Sequence, residues 1–213
     1  MDKSIQIDTF NRIAQVSRET ITSLEKYEEM LINANNSLNL IGKSTIAEIW
    51  NRHFLDSFQL IDFIGKNEKS LIDIGSGAGF PGIILAIAAK DKKIPIKITL
   101  VDKSPKKIIF LKKIIKELNL NVKTLNKNIL DDDVKFTDDI FVARAFKPLS
   151  VILKLIHNKG GNWKKIFIFQ GKTWRKELQQ ASKNWDIEYK QRRSITNTDS
   201  VILEIDNFKK IKI

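Results

Sequence analysis

Cysteine is absent from this chain of 213 residues, and only two histidines and four prolines are present. Without cysteine, the chain has no disulfide scaffold, no thiolate metal ligand and no cysteine nucleophile. The two histidines, His53 and His157, lie too far apart in the sequence to indicate a zinc site, so we predict no bound metal. Residues 1–3 are not followed by the apolar stretch of a signal peptide, and we therefore expect a cytoplasmic protein.

A transmembrane run is also missing. The stretch 71–89 carries one charged side chain, but five of its residues are glycine or proline. Such a stretch makes a poor membrane helix and a good strand–turn–helix unit. Apolar residues make up 42% of the chain and charged residues 29%, a balance that excludes both a disordered tail and a membrane protein.

Basic side chains are in excess, and the excess is confined to one part of the chain. The formal net charge is +12, yet residues 1–70 hold 8 basic and 10 acidic side chains while residues 71–213 hold 29 and 15. A basic domain of this kind favours a polyanionic partner, such as nucleic acid, through phosphate contacts. The alternative is a solvated lysine-rich surface that reflects a general lysine and isoleucine bias.

The pattern of apolar residues divides the chain into two parts. Residues 1–66 are predicted to form a helical N-terminal extension packed on the rest, with one helix near 21–32 and another from an N-cap at Thr45 to Ile64. From residue 67, strands alternate with helices, which is typical of a mostly parallel α/β sheet. The predicted strands are 71–74, 96–101, 122–125, 140–143 and 166–169, closed by an antiparallel pair at 187–190 and 201–205. The predicted helices of this part are 83–89, 105–118 and 172–182.

A glycine-rich loop directly follows the first predicted strand. Gly75, Gly77 and Gly79 are spaced as G-x-G-x-G, and Phe80 stands where a dinucleotide-binding loop has its third glycine. This spacing is that of methyltransferases that use S-adenosyl-L-methionine. Asp102 ends the next strand, where a carboxylate can accept hydrogen bonds from both ribose hydroxyls of an adenosine. The alternative is a doubly wound protein whose glycines only make a tight turn.

The acceptor of a methyl group can be narrowed by what is absent. Carbon-5 methylation of pyrimidines normally needs a cysteine, and methylation of exocyclic amines commonly uses an Asn/Asp-Pro-Pro-aromatic loop, whereas the prolines here never pair. A ring nitrogen with a free lone pair, such as N7 of guanine, fits a site without these devices. Arg144, after the fourth strand, could hold a phosphate or the O6 edge of a guanine. An ion pair to Asp73 or to the acidic loop 131–139 explains Arg144 equally well.

Several further side chains have both a functional and a structural interpretation. Arg52 and His53, in the N-terminal extension, are candidate RNA contacts, but a histidine there is more often a packing residue. Lys172 and Arg175 are candidate RNA contacts after the fifth strand, although most such residues are solvated surface. Asp56 fits an ion pair within its own helix.

The chain resembles a known family, the bacterial small-subunit rRNA guanine-N7 methyltransferases, also called glucose-inhibited division protein B. The resemblance covers nearly the whole chain. It rests on Asn39-Leu40, Arg52-His53-Phe54-Leu55-Asp56-Ser57, the stretch from Asp73 through Gly79-Phe80-Pro81-Gly82, Lys106 to Leu111, and Ala143-Arg144-Ala145-Phe146.

The resemblance implies a Rossmann-like class I S-adenosylmethionine-dependent methyltransferase behind a helical N-terminal extension. Such a protein methylates N7 of one guanine in the decoding region of 16S rRNA. The implied cofactor contacts are Gly75, Phe80, Ile129, Leu130 and Arg144, and the implied partner is 16S rRNA or the small ribosomal subunit. We further expect a monomer with no membrane association.

The chain departs from the family pattern at four positions. Asn128 and Leu130 replace an arginine and a glutamate, Gln170 replaces a lysine, and Ala34 replaces a tryptophan. The missing carboxylate at Leu130 implies that any adenine contact there is made by the main chain. Two other functions stay open: a methyltransferase for another RNA or a small molecule, and a non-catalytic RNA-binding assembly factor.

Overall fold

A computed structural model describes residues 2–65, 67–131 and 134–211. Its centre is a seven-stranded sheet with the order β3-β2-β1-β4-β5-β7-β6, in which β1 to β5 are parallel and β7 is antiparallel to both of its neighbours. The strands are β1 (Ser70–Ile74), β2 (Lys97–Asp102), β3 (Val122–Asn126), β4 (Ile140–Arg144), β5 (Lys165–Gln170), β6 (Trp185–Arg193) and β7 (Val201–Lys210).

Helices cover both faces of this sheet. They are α1 (Lys3–Ala14), α2 (Arg18–Leu38), α3 (Asp56–Phe58), α4 (Gly82–Asp91), α5 (Pro105–Glu117), α6 (Leu149–Lys159) and α7 (Trp174–Ala181). Helix α5 begins as the sequence predicts, because the Ser104 hydroxyl accepts a hydrogen bond from the Lys107 main-chain N–H and Pro105 takes the first helical position. The predicted Rossmann-like α/β fold with its antiparallel closing strands is therefore confirmed.

Two features of the sheet part differ from the sequence prediction. Helix α6 is not among the predicted elements, although its buried residues Leu149, Ile152, Leu153 and Ile156 have helical spacing. Strands β6 and β7 both extend beyond the predicted 187–190 and 201–205. The sequence does not predict the ends of β6, because it is an edge strand whose side chains are mostly exposed and whose apolar alternation is weak. Helix α6 completes the layer on one face of the sheet.

The N-terminal extension and the sheet share one apolar core. Phe10, Leu24, Tyr27 and Trp50 belong to the same buried cluster as α4, α5 and the adjoining face of the sheet. A second cluster lies on the opposite face, beneath α6 and α7. In the described residues, no helix is both long and apolar enough to cross a membrane.

The predicted helix from Thr45 to Ile64 is wrong as a single regular helix. The chain forms a 3-10 helix at Lys43–Glu48, a π-helix at Trp50–Leu55, then α3, then a 3-10 helix at Gln59–Phe63. Thr45 is not an N-cap, because its hydroxyl donates to the Gly42 carbonyl. Too many apolar side chains occupy this segment for one helical face, and the changes of helical pitch turn successive ones into the core.

The register of the parallel strands brings three distant residues to one edge of the sheet. Ile74 pairs with Val101 of β2 and with Ala143 of β4. The residues that follow these three in the chain are Gly75, Asp102 and Arg144. The candidate site residues therefore lie side by side at the carboxyl edge, where ligands bind in such sheets.

Candidate functional site

The glycine loop adopts a backbone that other residues would strain. Gly75, Gly77 and Gly79 have φ angles of 73°, 56° and 108°. A Cβ atom on Gly75 would lie 2.3 Å from the ring of Phe146, and one on Gly79 would lie 2.7 Å from Ile83. A Cβ atom on Gly77 would approach nothing closer than 3.7 Å. Gly75 and Gly79 are thus required by both conformation and space, and Gly77 by conformation alone.

Hydrogen bonds from two sides, strand β2 and helix α2, hold this loop in place. The Gly75 and Ser76 N–H groups donate to the Val101 carbonyl at 2.9 and 3.0 Å. The hydroxyl of the fully buried Tyr27 donates to the Ala78 carbonyl at 2.6 Å, and burial raises the pKa of Tyr27 well above its ordinary value. The extension therefore contacts the loop directly through α2.

Asp102 has the position and the free lone pairs that an adenosine ribose requires. Its Oδ2 accepts the Gly77 N–H at 2.9 Å and its Oδ1 accepts the Ser104 N–H at 2.8 Å. Each carboxylate oxygen can accept a second hydrogen bond, and the two N–H donors fix the carboxylate in one orientation. Asp102 lines a cleft of about 280 Å³ together with Gly75, Val101 and Ile129, which we call the cofactor cleft. A carboxylate beside glycine and apolar walls fits an adenosyl group.

Ile129 and Leu130, the two predicted cofactor contacts after β3, are placed differently. Ile129 is buried and lines the cleft, and its carbonyl accepts a hydrogen bond from the Lys159 ammonium at 3.1 Å. Leu130 is 42% exposed and is not among the lining residues, and its N–H donates to the Asn128 side chain. The Leu130 N–H already has an acceptor, so it is the weaker candidate for a contact with adenine.

A second cleft of about 740 Å³ lies between the extension, the ends of β4 and β5, and the β6–β7 loop. We call it the base cleft. Ala145, Phe146 and Lys147 line both clefts, so the two meet at this segment after β4. Phe80 lies nearby beneath the His53 ring, with the ring centroids 4.9 Å apart.

Arg144 lies in the wall of the base cleft and is held by the extension. Its Nη2 lies 3.1 Å from the Asp56 carboxylate and donates to the Arg52 carbonyl at 2.6 Å. The ion pair predicted with Asp73 or the acidic loop is therefore not the one formed. Asp73 instead accepts the Gly82 N–H, and Asp132 and Asp133 of that loop lie outside the described residues. Asp56 likewise forms its ion pair with Arg144 at the end of β4 rather than with a residue of its own helix.

The other oxygen of Asp56 holds the β6–β7 loop. Its Oδ1 accepts hydrogen bonds from the Ser194 hydroxyl at 3.0 Å, the Thr196 hydroxyl at 3.1 Å and the Gln59 amide at 3.0 Å. The side-chain oxygen of Gln59, Oε1, in turn accepts a hydrogen bond from the Ile195 N–H. One carboxylate thus connects three walls of the base cleft. Sequence analysis did not find Ser194 and Thr196, because no local pattern connects them to a residue about 140 positions earlier.

Two of the predicted RNA contacts, Arg52 and His53, line the base cleft. His53 lines the base cleft with its Nε2 2.9 Å from the Thr45 hydroxyl, and burial, reinforced by Arg144 and Arg52, lowers the pKa of His53 to about 3. His53 is therefore a neutral imidazole near pH 7. Arg52 pairs with Glu48 at the cleft margin.

The two candidates after the fifth strand lie outside the base cleft. Lys172 is exposed, and it stands between Gly171 and Thr173, which line the cleft. Arg175 is exposed, and its guanidinium lies 4.4 Å from the ring centroid of Trp174. The structure thus brings Arg52 and His53 to the base cleft and leaves Lys172 and Arg175 on the surface beyond it.

Comparison with known proteins identifies close relatives. A family model described as rRNA small subunit methyltransferase G matches residues 20–205. Ribosomal RNA small subunit methyltransferase G of Pelagibacter ubique is 38% identical over 197 residues, which are 92% of each chain. The protein of the same name from Rickettsia akari is 38% identical over 92% of this chain and 99% of its own.

The fold also matches a solved structure. A TehB-like SAM-dependent methyltransferase from Corynebacterium glutamicum superposes with a TM-score of 0.55 over 77% of this chain and 93% of its own. The two sequences are 16% identical, so this similarity concerns the fold alone.

Proposed function

Because the chain belongs to the rRNA small subunit methyltransferase G family, we propose that it transfers the methyl group of S-adenosylmethionine to N7 of a guanine in the decoding region of 16S rRNA. It is a methyltransferase that uses S-adenosylmethionine and acts on rRNA. The meeting of the cofactor cleft and the base cleft at Ala145, Phe146 and Lys147 is the observation that carries the proposal. A methyl donor in one cleft would face an acceptor base in the other.

The chemistry of these clefts supports a ring nitrogen as the acceptor. S-adenosylmethionine, when bound, supplies a methyl group already activated by its sulfonium, so the protein need only align the acceptor. Guanine N7 has a free lone pair and needs no base to remove a proton. His53 is neutral with its Nε2 engaged by Thr45, and Arg144 is engaged by Asp56. These residues hold and shape the base cleft rather than move protons.

The proposed domains and site residues follow from this assignment. We assign residues 1–66 to the extension and 67–213 to the methyltransferase domain, and we expect the protein to act as a monomer in the cytoplasm. The proposed cofactor contacts are Gly75, Gly77, Gly79, Phe80, Asp102, Ile129, Leu130 and Arg144. Arg144 also serves as the proposed residue that positions the substrate, from the wall of the base cleft.

Transfer of label tests the function. Purified protein receives S-adenosylmethionine with a labelled methyl group together with unmethylated small subunits, naked 16S rRNA or tRNA. We expect label on N7 of one guanine in 16S rRNA. Label only on tRNA or on a small molecule would overturn the proposed substrate, and cofactor binding without transfer to any RNA would indicate an assembly factor.

A pair of variants tests the cofactor cleft. Asp102→Ala should weaken binding of S-adenosylhomocysteine by about tenfold to a hundredfold, because hydrogen bonds to a carboxylate contribute about 1.5–3 kcal/mol. Asp91→Ala is the matched control, since Asp91 also accepts a main-chain N–H, from Ser17, but lies at the far end of α4. Isothermal titration calorimetry measures both. Equal affinities for the two variants would contradict the role of Asp102.

A further inference from the structure

The cofactor cleft is bordered by four lysines that its cofactor does not explain. Lys103, Lys107, Lys127 and Lys147 line it, and among the described lining residues Asp102 is the one carboxylate. We call these four residues the lysine rim. Among residues 2–65, 67–131 and 134–211, no carboxylate lies within ion-pair distance of any of them. The rim is therefore a concentration of uncompensated positive charge.

Some lysines elsewhere on the molecule have acidic partners. Lys164 pairs with Asp139 at 3.0 Å, and Lys190 pairs with Asp206 at 2.8 Å. The base cleft is balanced as well, because Arg144 pairs with Asp56 there. The imbalance is thus specific to one of the two clefts.

The cofactor itself is a poor counterpart for this charge. S-adenosylmethionine carries an ammonium, a sulfonium and one carboxylate, so its net charge near pH 7 is positive. Lysines around a cation raise its free energy. The N-terminus of α5, at Ser104 and Pro105, adds partial positive charge at the same place. A polyanion is the ligand that this arrangement favours.

We propose that the phosphate backbone of the substrate rRNA runs along the lysine rim and crosses the mouth of the cofactor cleft. The proposal rests on the proposed function, and it follows from where the target base must go. The base enters the base cleft as far as Ala145–Lys147, and Lys147 itself belongs to the rim. Phosphates adjoining that base therefore come within reach of the rim rather than of Arg52, which is paired with Glu48.

Bound rRNA then retains the cofactor. A backbone lying across the mouth closes the route by which the adenosyl group enters and leaves. Cofactor exchange should consequently slow when RNA is bound, and the spent cofactor should leave after the RNA has dissociated.

Two quadruple variants with the same change of charge test this inference. The rim variant replaces Lys103, Lys107, Lys127 and Lys147 by glutamine. The control variant replaces Lys97, Lys183, Lys209 and Lys210 by glutamine. The control lysines are exposed, form no ion pair among the described residues, and lie at the opposite edge of the sheet, since Lys97 begins β2 and Lys210 ends β7.

RNA affinity is the first measurement. The dissociation constant for a 16S rRNA transcript is determined as a function of salt concentration. Each phosphate contact contributes about 0.7 to the slope of log K against log salt for a single strand, so the rim variant should lose about 3 from that slope. Its affinity at low salt should fall by at least about tenfold, and the control should stay close to the unmodified protein.

Cofactor release is the second measurement. Labelled S-adenosylhomocysteine is displaced with and without saturating transcript. We expect RNA to slow its release several-fold in the unmodified protein and in the control, and to have little effect in the rim variant. Without RNA, the rim variant should bind S-adenosylmethionine at least as tightly as the unmodified protein does, which also shows that its cleft is folded.

Three outcomes would overturn the inference. They are an unchanged salt slope in the rim variant, equal losses in the two variants, and cofactor release that RNA does not slow in the unmodified protein. Normal binding to the transcript with lost binding to assembled subunits would assign the rim to a ribosomal protein instead. Failure of the unmodified protein to methylate any rRNA would overturn the proposed function, whereas a methylating protein with an ineffective rim would overturn only the rim.

Discussion

Asp56 is the single residue on which most of the base cleft depends. Its carboxylate accepts hydrogen bonds or an ion pair from Arg144 at the end of β4 and from Ser194 and Thr196 in the β6–β7 loop. The carboxylate of Asp56 and the guanidinium of Arg144 are mostly buried, with side-chain exposures of 13% and 17%. Removing one partner from such a pair leaves an uncompensated charge.

We predict that Asp56→Asn lowers the free energy of unfolding by about 3 kcal/mol and lowers kcat for rRNA more than it weakens cofactor binding. Glu48→Gln is the matched control. Glu48 also pairs with an arginine beside the base cleft, but that pair is about half exposed, so its loss should change stability by less than about 1 kcal/mol. Urea unfolding and steady-state kinetics separate the two effects, and equal stabilities would contradict the role of Asp56.

Asp73 gives a prediction about pH at the same scale. It is fully buried, no described residue donates a hydrogen bond to its Oδ1, and burial raises the pKa of Asp73 from 3.8 to about 7 despite the hydrogen bond from Gly82. Because the folded state holds this proton more tightly than the unfolded state, the contribution to stability is fully present below about pH 4. That contribution is lost as the pH rises through about 7.

We therefore expect Asp73→Asn to remove a fall in stability between pH 4 and 7. Urea unfolding across this range, for the variant and the unmodified protein, measures the difference between their stability curves. Other carboxylates, such as Asp139, have a lowered pKa and give the opposite slope in both proteins, so they cancel in the difference. Parallel curves would show that Asp73 is ionised in the folded state.

At the scale of elements, the glycine loop between β1 and α4 sets the shape of the cofactor cleft. Its three glycines share left-handed backbone angles, and at Gly75 an added Cβ atom would also meet the ring of Phe146, which lines both clefts. Spacing along the sequence reveals the motif. It does not reveal which glycine faces a neighbouring side chain, because that neighbour, Phe146, follows β4, about 70 residues later.

We predict that Gly75→Ala destabilises the protein by about 2–4 kcal/mol and displaces Phe146. The new methyl group would clash with the Phe146 ring, and the φ angle at this position is unfavourable for alanine. Gly77→Ala is the matched control with unfavourable φ but no close contact, and it should lose about 1–2 kcal/mol. Thermal unfolding gives both values. An equal loss in the two variants would show that the contact with Phe146 is unimportant.

At the scale of the whole molecule, the extension and the sheet domain behave as one folded body. They share a continuous apolar core, and Tyr27 of α2 donates a buried hydrogen bond to the Ala78 carbonyl of the glycine loop. The walls of the base cleft are thus supplied by parts of the chain on either side of residue 66. Loss of contacts in the extension should consequently change the shape of the cofactor cleft.

We predict that Tyr27→Phe lowers the free energy of unfolding by about 1–3 kcal/mol, because the Ala78 carbonyl is left buried without its donor. Binding of S-adenosylhomocysteine should weaken several-fold at the same time. Ser23→Ala is a control on the same helix, since its hydroxyl bonds only the Glu19 carbonyl within α2 and is exposed. Tyr27→Phe with normal cofactor affinity would mean that the extension supports the fold without shaping the cleft.

The amino-acid sequence by itself determined the α/β class, five parallel strands, the closing pair and the carboxyl-edge position of Gly75, Asp102 and Arg144. These features follow from local periodicity and from the rule that parallel strands end at one edge. The motif residues also indicated the cofactor and the family, which the relatives confirm.

Only the tertiary structure decided the partner of Arg144 and the hydrogen bonds from Ser194 and Thr196 to Asp56. It also divided the predicted helix from Thr45 to Ile64 into short helices of different pitch. It also brought Lys103, Lys107, Lys127 and Lys147 together around one cleft. The physical reason is that these features depend on which surfaces meet across long separations in the chain. A periodic pattern shows which face of an element is apolar, but it does not show which carboxylate will lie opposite which guanidinium.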